Sequence, residues 1–231
     1  MKLAIFDLDD TLIDFAATRE IAYRRLAEHL DQQGIDSAAF GRVCPAIDRG
    51  LFVRFEQGQL SRSEYRLQRF SEPLEAIGVV PTSDLVLQLN KLFMDCVNDA
   101  PLLFDDVLPA LSRLRALDIR TAILTNGPSD GQRRKLKATG LADRVDHVAI
   151  GEEIGFSKPS PLAFHSVVAR FSLAHHDALM VGDSPELDYD AARRAGLDAL
   201  LLDRTQRHHG TGRTSIGSLA SVLSGRPART S

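Results

Sequence analysis

The chain has 231 residues, a formal net charge of -3 and a hydrophobic fraction of 44%. Near-neutral charge gives no electrostatic reason for a nucleic-acid partner, and no apolar run is long enough to span a bilayer. The apolar start is too short for a signal-peptide core, and Cys44 and Cys96 form neither a CxxC pair nor a metal-ligand spacing, so free thiols in a cytoplasmic protein are expected.

The first predicted element is a strand, Leu3–Phe6, which runs directly into Asp7-Leu8-Asp9-Asp10-Thr11. Three carboxylates within four residues repel one another, so this stretch needs either a cation among its oxygens or water around them. From Asp14 to Phe104 the pattern turns helical, with segments such as TREIAYRRLAEHL and SDLVLQLNKLFMDCV. An interval of about 90 residues far exceeds an ordinary strand–helix loop and suits a small domain. Residues 15–103 are therefore expected to form a helical cap, inserted after the first strand and sitting over its C-terminal end.

Beyond it, short β-rich apolar runs predict strands at 121–124, 145–150, 178–181 and 199–202. Helices are predicted at 131–139, closed by Gly140, at 161–171, after a Ser160 cap, and at 185–195, closed by Gly196. This alternation predicts an α/β protein, a doubly wound parallel sheet with a Rossmann-like core formed by residues 1–14 and 104–206. Residues 207–231 read as a tail in which Ile216, Leu219 and Leu223 have the spacing of a short docked helix. The tail arginines, Arg204, Arg207, Arg213, Arg226 and Arg229, read as a solvated charge run, with an anion-binding arm as the alternative.

Ligands of open parallel sheets bind at the carboxyl edge of the strands. Those edges carry Asp7 to Thr11, then Thr125-Asn126-Gly127, then Lys158-Pro159 before a helix, then Gly182-Asp183-Ser184 with Asp188 following. Each has a plain structural reading by itself: aspartate caps helices, Thr-Asn-Gly makes a turn, and a lone lysine faces water. Their placement at successive strand ends is the informative feature.

This combination resembles the haloacid dehalogenase-like hydrolase superfamily, in particular its phosphatases with an inserted helical cap. The resemblance runs from Ala4 to about Asp203 and rests on D-x-D-x-T at Asp7, Asp9 and Thr11, the strand-end Thr125, Lys158, and G-D-x-x-x-x-D at Asp183 and Asp188. Asp10 stands where many members carry glycine. The resemblance implies that Asp7 attacks phosphorus to form an aspartyl-phosphate, and that Asp9 protonates the leaving group and later deprotonates water. It implies a phosphoryl site formed by Thr125, Asn126 and Lys158. Mg²⁺ would be held by the side chains of Asp7 and Asp183 and the backbone carbonyl of Asp9, while Asp188 would steady Lys158 or the waters of the metal. A hard divalent cation suits oxygen ligands and lets a carboxylate approach a phosphate dianion.

The expected function is thus Mg²⁺-dependent hydrolysis of a small phosphorylated metabolite. A phosphomutase would retain every core residue, and a receiver-like phospho-acceptor switch also uses an acidic cluster, a threonine and a lysine. A dehalogenase would need no acid at Asp9. Thr11 reads as fixing the turn, and Arg133, Arg134, Lys135 and Lys137 as a solvated helix face. The pairs His175-His176 and His208-His209 lack partners at ligand spacing, and nothing ranks Arg49, Arg54 or Arg66 as substrate contacts. No residue pattern sets the oligomeric state.

Overall fold

The computed structural model describes residues 1–208 and 210–225, so His209, Arg226 and Arg229 lie outside the described residues. The first strand, β1 (Leu3–Phe6), is followed by four helices, α1 (Phe15–Gln32), α2 (Ser37–Glu56), α3 (Arg62–Ala76) and α4 (Ser83–Asp99). Next come α5 (Val107–Ala116), β2 (Arg120–Thr125), α6 (Ser129–Thr139), β3 (His147–Ile150), α7 (Gly151–Ile154), α8 (Pro161–Arg170) and β4 (Ala178–Gly182). A π-helical turn, Pro185–Asp190, leads into α9 (Ala191–Arg194), β5 (Asp198–Leu202) and β6 (Ser215–Ile216). The chain divides into two units, one of Met1–Phe15 with Pro101–Ser231, the other of Ala16–Ala100.

The first unit is built on a six-stranded parallel sheet in the order β3-β2-β1-β4-β5-β6. Alternation along each strand divides its side chains between two faces. Ala4, Phe6, Ile123, Leu179, Val181 and Leu200 pack on one face with Val107, Leu111 and Leu114 of α5. Leu3, Ile5, Ala122, Leu124 and Met180 pack on the other with Phe164, Val167 and Val168 of α8. Strands covered on both faces need apolar residues at every position, which is why they read as continuous runs.

The tail differs from the sequence expectation. Ile216 does not start a helix; it lies in β6, beside β5, and only Leu219–Ser221 makes a short 3-10 turn. The N–H groups of Leu201 and Asp203 donate to Thr214 O and Ile216 O, so the tail satisfies the otherwise open edge of β5. Two of the tail arginines also find partners. Arg204 makes two bonds of 2.9 Å to Asp106 and donates to the carbonyl of Thr11 at 3.1 Å, while Arg213 pairs with Asp190.

The second unit is all helical. Asp36 and Thr82 cap α2 and α4 by accepting from Ala39 N–H and Leu85 N–H, and Ser61 with Glu64 forms a capping box on α3. Leu26, Leu30, Phe70, Leu74, Leu89 and Phe93 are buried, and Cys44 and Cys96 are buried free thiols. Among the described residues, no helix is long and apolar enough to cross a membrane.

Candidate active site

β1 lies between β2 and β4, so the chain leaves β1 towards one side of the sheet and returns on the other. A crevice at such a reversal, outside the carboxyl ends of the strands, is where ligands of open α/β sheets bind. The Asp7 N–H donates to Val181 O at 3.0 Å, which extends the β1–β4 ladder and fixes the first carboxylate at that point.

Lys158 is the centre of the site. It is 4% exposed, and its Nζ donates to Asp7 Oδ1 and Asp188 Oδ1, each at 2.6 Å. Its main chain is gripped by one side chain: Asn126 Nδ2 donates to Lys158 O at 2.7 Å, and Lys158 N–H donates to Asn126 Oδ1 at 2.8 Å. Asn126, expected to bind the phosphoryl group, thus also places the lysine, through one hydrogen of its amide nitrogen and its amide oxygen. Asp188 is held in turn, because its Oδ2 accepts from Ser184 N–H at 3.0 Å. Gly182 makes room for it: a Cβ there would lie 2.2 Å from Asp188 Oδ2.

Asp183 completes the cluster. One carboxylate oxygen from each of Asp7, Asp183 and Asp188 lies within 4.8 Å of the others, and Thr11 Oγ1 donates to Asp183 Oδ1 at 3.4 Å. Burial, reinforced by the charges of Asp188 and Asp183, pushes Asp7 up to about 8 against the pull of Lys158. Burial, with Asp188 and Asp10 nearby, pushes Asp183 up to about 6. Burial would lower Lys158, but the two carboxylates outweigh it and push the lysine up. One ammonium thus meets Asp7 and Asp188 with Asp183 beside them, and burial opposes ionisation of Asp7 and Asp183. An all-oxygen donor set short of positive charge fits a hard divalent cation. Asp10 adopts φ +59°, a left-handed conformation that aspartate tolerates and glycine adopts freely.

Asp9 points to other partners. Its Oδ1 accepts from Lys135 Nζ at 2.6 Å and its Oδ2 from Gln132 Nε2 at 2.9 Å. Gln132 Nε2 also lies 2.8 Å from Thr125 Oγ1, which accepts from Gly127 N–H at 3.4 Å. Lys135 consequently departs from the solvated face expected of the α6 basic cluster. Gly131, Gln132, Lys135 and Leu136 form the buried side of the helix, whereas Arg133 points outward to Glu153. Leu136, the one large apolar residue of α6, marked that side, and Gln132 lies one turn before it, four positions back.

Fold and site together define an enzyme of the Rossmann-like α/β class. The haloacid dehalogenase-like hydrolase family matches residues 1–196, and the chain belongs to that family and is a hydrolase. The HAD-hydrolase YfnB of Bacillus subtilis is 32% identical over 200 residues, 85% of this chain and 82% of that protein. A phosphoserine phosphatase of Thermus thermophilus is 31% identical over 228 residues, 90% of each chain. A crystal structure of the Bacillus protein bound to magnesium has a TM-score of 0.78 at 27% identity, covering 96% of this chain and 97% of that one.

Proposed function

We propose that this chain is a Mg²⁺-dependent phosphatase that hydrolyses a small phosphorylated metabolite through an aspartyl-phosphate on Asp7. The observation that carries the reading is the buried Asp7–Lys158–Asp188 arrangement beside Asp183 at the reversal of the sheet. Relatives named for phosphoserine, ribulose-1,5-bisphosphate and glyceraldehyde 3-phosphate phosphatase activities support the phosphate ester as the common substrate feature.

In this reading an oxygen of Asp7 attacks phosphorus and the bond from phosphorus to the leaving oxygen breaks, while Asp9 supplies the proton that the leaving alkoxide takes. Water then attacks the phosphorus of the aspartyl-phosphate, Asp9 takes its proton, and inorganic phosphate leaves with Asp7 restored. Lys158 offsets the negative charge gathered around Asp7 and the phosphoryl oxygens. Thr125 Oγ1 accepts two hydrogen bonds and keeps its own hydrogen for a phosphoryl oxygen. Asp7 and Asp183 side chains and the Asp9 carbonyl would hold Mg²⁺, which when bound supplies Lewis-acid neutralisation of the carboxylate and phosphate charges.

The test is phosphate release from a panel of sugar phosphates, nucleoside monophosphates and phosphorylated acids, with Mg²⁺ and after exhaustive chelation. Turnover of at least one ester that chelation abolishes and Mg²⁺ restores is expected. Folded protein that releases no phosphate from any ester, or that releases halide from 2-haloacids instead, would overturn the reading.

A further inference from the structure

We infer that Gln132 and Lys135 are positioning residues that hold the carboxylate of Asp9 for its proton transfers. The inference rests on the proposed role of Asp9 as acid and base and adds two residues to that step. Lys135 and Gln132 each engage a different oxygen of the same carboxylate, at 2.6 and 2.9 Å, so rotation of the carboxylate would break one bond or both. The amide of Gln132 also reaches Thr125 Oγ1 at 2.8 Å, so one nitrogen links Asp9 to the strand-end hydroxyl.

Two features set this apart from ordinary packing. Gln132 is 1% exposed and Lys135 6%, and a buried lysine paired with a carboxylate seldom adds stability over an apolar residue of similar volume. Gln132 Oε1 is buried with no hydrogen-bond partner among the described residues. The side chain thus leaves its acceptor unpaired while its donor serves Asp9 and Thr125, a cost that packing alone does not explain. The neighbouring structure is shaped for the arrangement. A Cβ on Gly127 would lie 2.0 Å from Gln132 Nε2, and the Lys135 ammonium sits 4.6 Å above the centre of the Phe15 ring.

The experiment compares full-length wild type with Gln132→Leu, Lys135→Met and Lys135→Arg on an alkyl phosphate and on an aryl phosphate with a good leaving group. Steady-state constants and rapid-quench bursts are measured, with thermal melts as the check of folding. Lys135→Met and Gln132→Leu are expected to lower kcat on the alkyl ester about 10- to 100-fold with KM changed less than about threefold. The first-turnover burst on the aryl ester should change little, because that leaving group needs no proton. Lys135→Arg should recover most of the loss, since it keeps a cation opposite Asp9. In an Asp9→Asn background, adding Lys135→Met should cost nothing further. Equal losses on both esters in the first turnover, no recovery with arginine, or an undiminished penalty without Asp9 would each overturn the inference. If Lys135→Met fails to fold, Gln132→Leu carries the same comparison. Absence of Mg²⁺-dependent phosphate release by wild type would instead strike the underlying phosphatase reading.

Discussion

Asn126 and Lys158 are joined by a closed pair of hydrogen bonds in which one side-chain amide both donates to and accepts from the main chain of the other residue. The pair ties the loop after β2 to the segment before α8, and so sets where the lysine begins its path to Asp7. Asn126→Asp keeps the acceptor for Lys158 N–H and removes the donor to Lys158 O. The expected result is a melting temperature lower by about 2–10 °C and a kcat lower by about 10- to 100-fold on phosphate esters. Melts beside steady-state kinetics check it. Unchanged kcat would mean that Lys158 finds Asp7 without this grip.

Asp7→Asn should abolish turnover and leave the fold intact. The amide is nearly isosteric with the carboxylate but cannot form an acyl-phosphate, and Lys158 keeps its contact with Asp188. The substitution also removes charge from a site where burial and neighbouring carboxylates already oppose ionisation. Circular dichroism and a phosphate-release assay are the measurements. Turnover within about tenfold of wild type would reassign the nucleophile.

Stability should fall with rising pH when no divalent cation is present. Asp7 and Asp183 stand at about 8 and about 6, above their ordinary 3.8. A raised acid holds its proton in the folded protein after the unfolded chain has released it. Its contribution is therefore complete below about 4 and is lost as the pH rises through the folded value. A cation that binds the ionised carboxylates competes with those protons. Mg²⁺ should accordingly raise the melting temperature more at pH 8 than at pH 5, and its binding should release protons into weakly buffered solution. A magnesium shift of equal size across this window would contradict the linkage.

Gly182→Ala should disturb the site while adding only one methyl group. That carbon would approach Asp188 Oδ2 to 2.2 Å at the end of a buried strand, so Asp188 must move and Lys158 loses one of its two carboxylates. A stability loss of about 1–3 kcal/mol and a clear drop in kcat are expected. Urea titration with kinetics checks both, and wild-type values for each would show that Asp188 relaxes without consequence.

The parallel sheet was legible because strands buried on both faces cannot alternate; β1 and the edges at Thr125 and Asp183 stand out as apolar runs ending in polar residues. Gln132 and Lys135 were hidden by composition, since three basic neighbours around Lys135 mimic a solvated face. Periodicity measured from Leu136 picks out Gln132, four residues before it, but not Lys135, because Arg133 stands nearer that face. The spacing of Ile216, Leu219 and Leu223 suits a helix, yet Ile216 is buried in a strand because the edge of β5 offers unpaired backbone groups, which no local pattern reports. Arg204 gave no signal for a similar reason: its partners, Asp106 and the carbonyl of Thr11, are distant in the chain.

The position of β1 has a consequence for biosynthesis. Leu3 pairs with Arg120 on one side and Ala178 on the other, so the strand made first lies between two strands made much later. At about 5–20 residues per second, a ribosome needs roughly 9–35 s to travel from Leu3 to Ala178. The helical unit, Ala16–Ala100, is an uninterrupted stretch that has been translated before β2 exists. During that interval the nascent chain carries Leu3–Phe6 as an unpaired apolar segment ahead of its helices, the kind of surface that chaperones bind. No ribosome-bound fragment ending before Asp188 can assemble the Asp7–Lys158–Asp188 cluster.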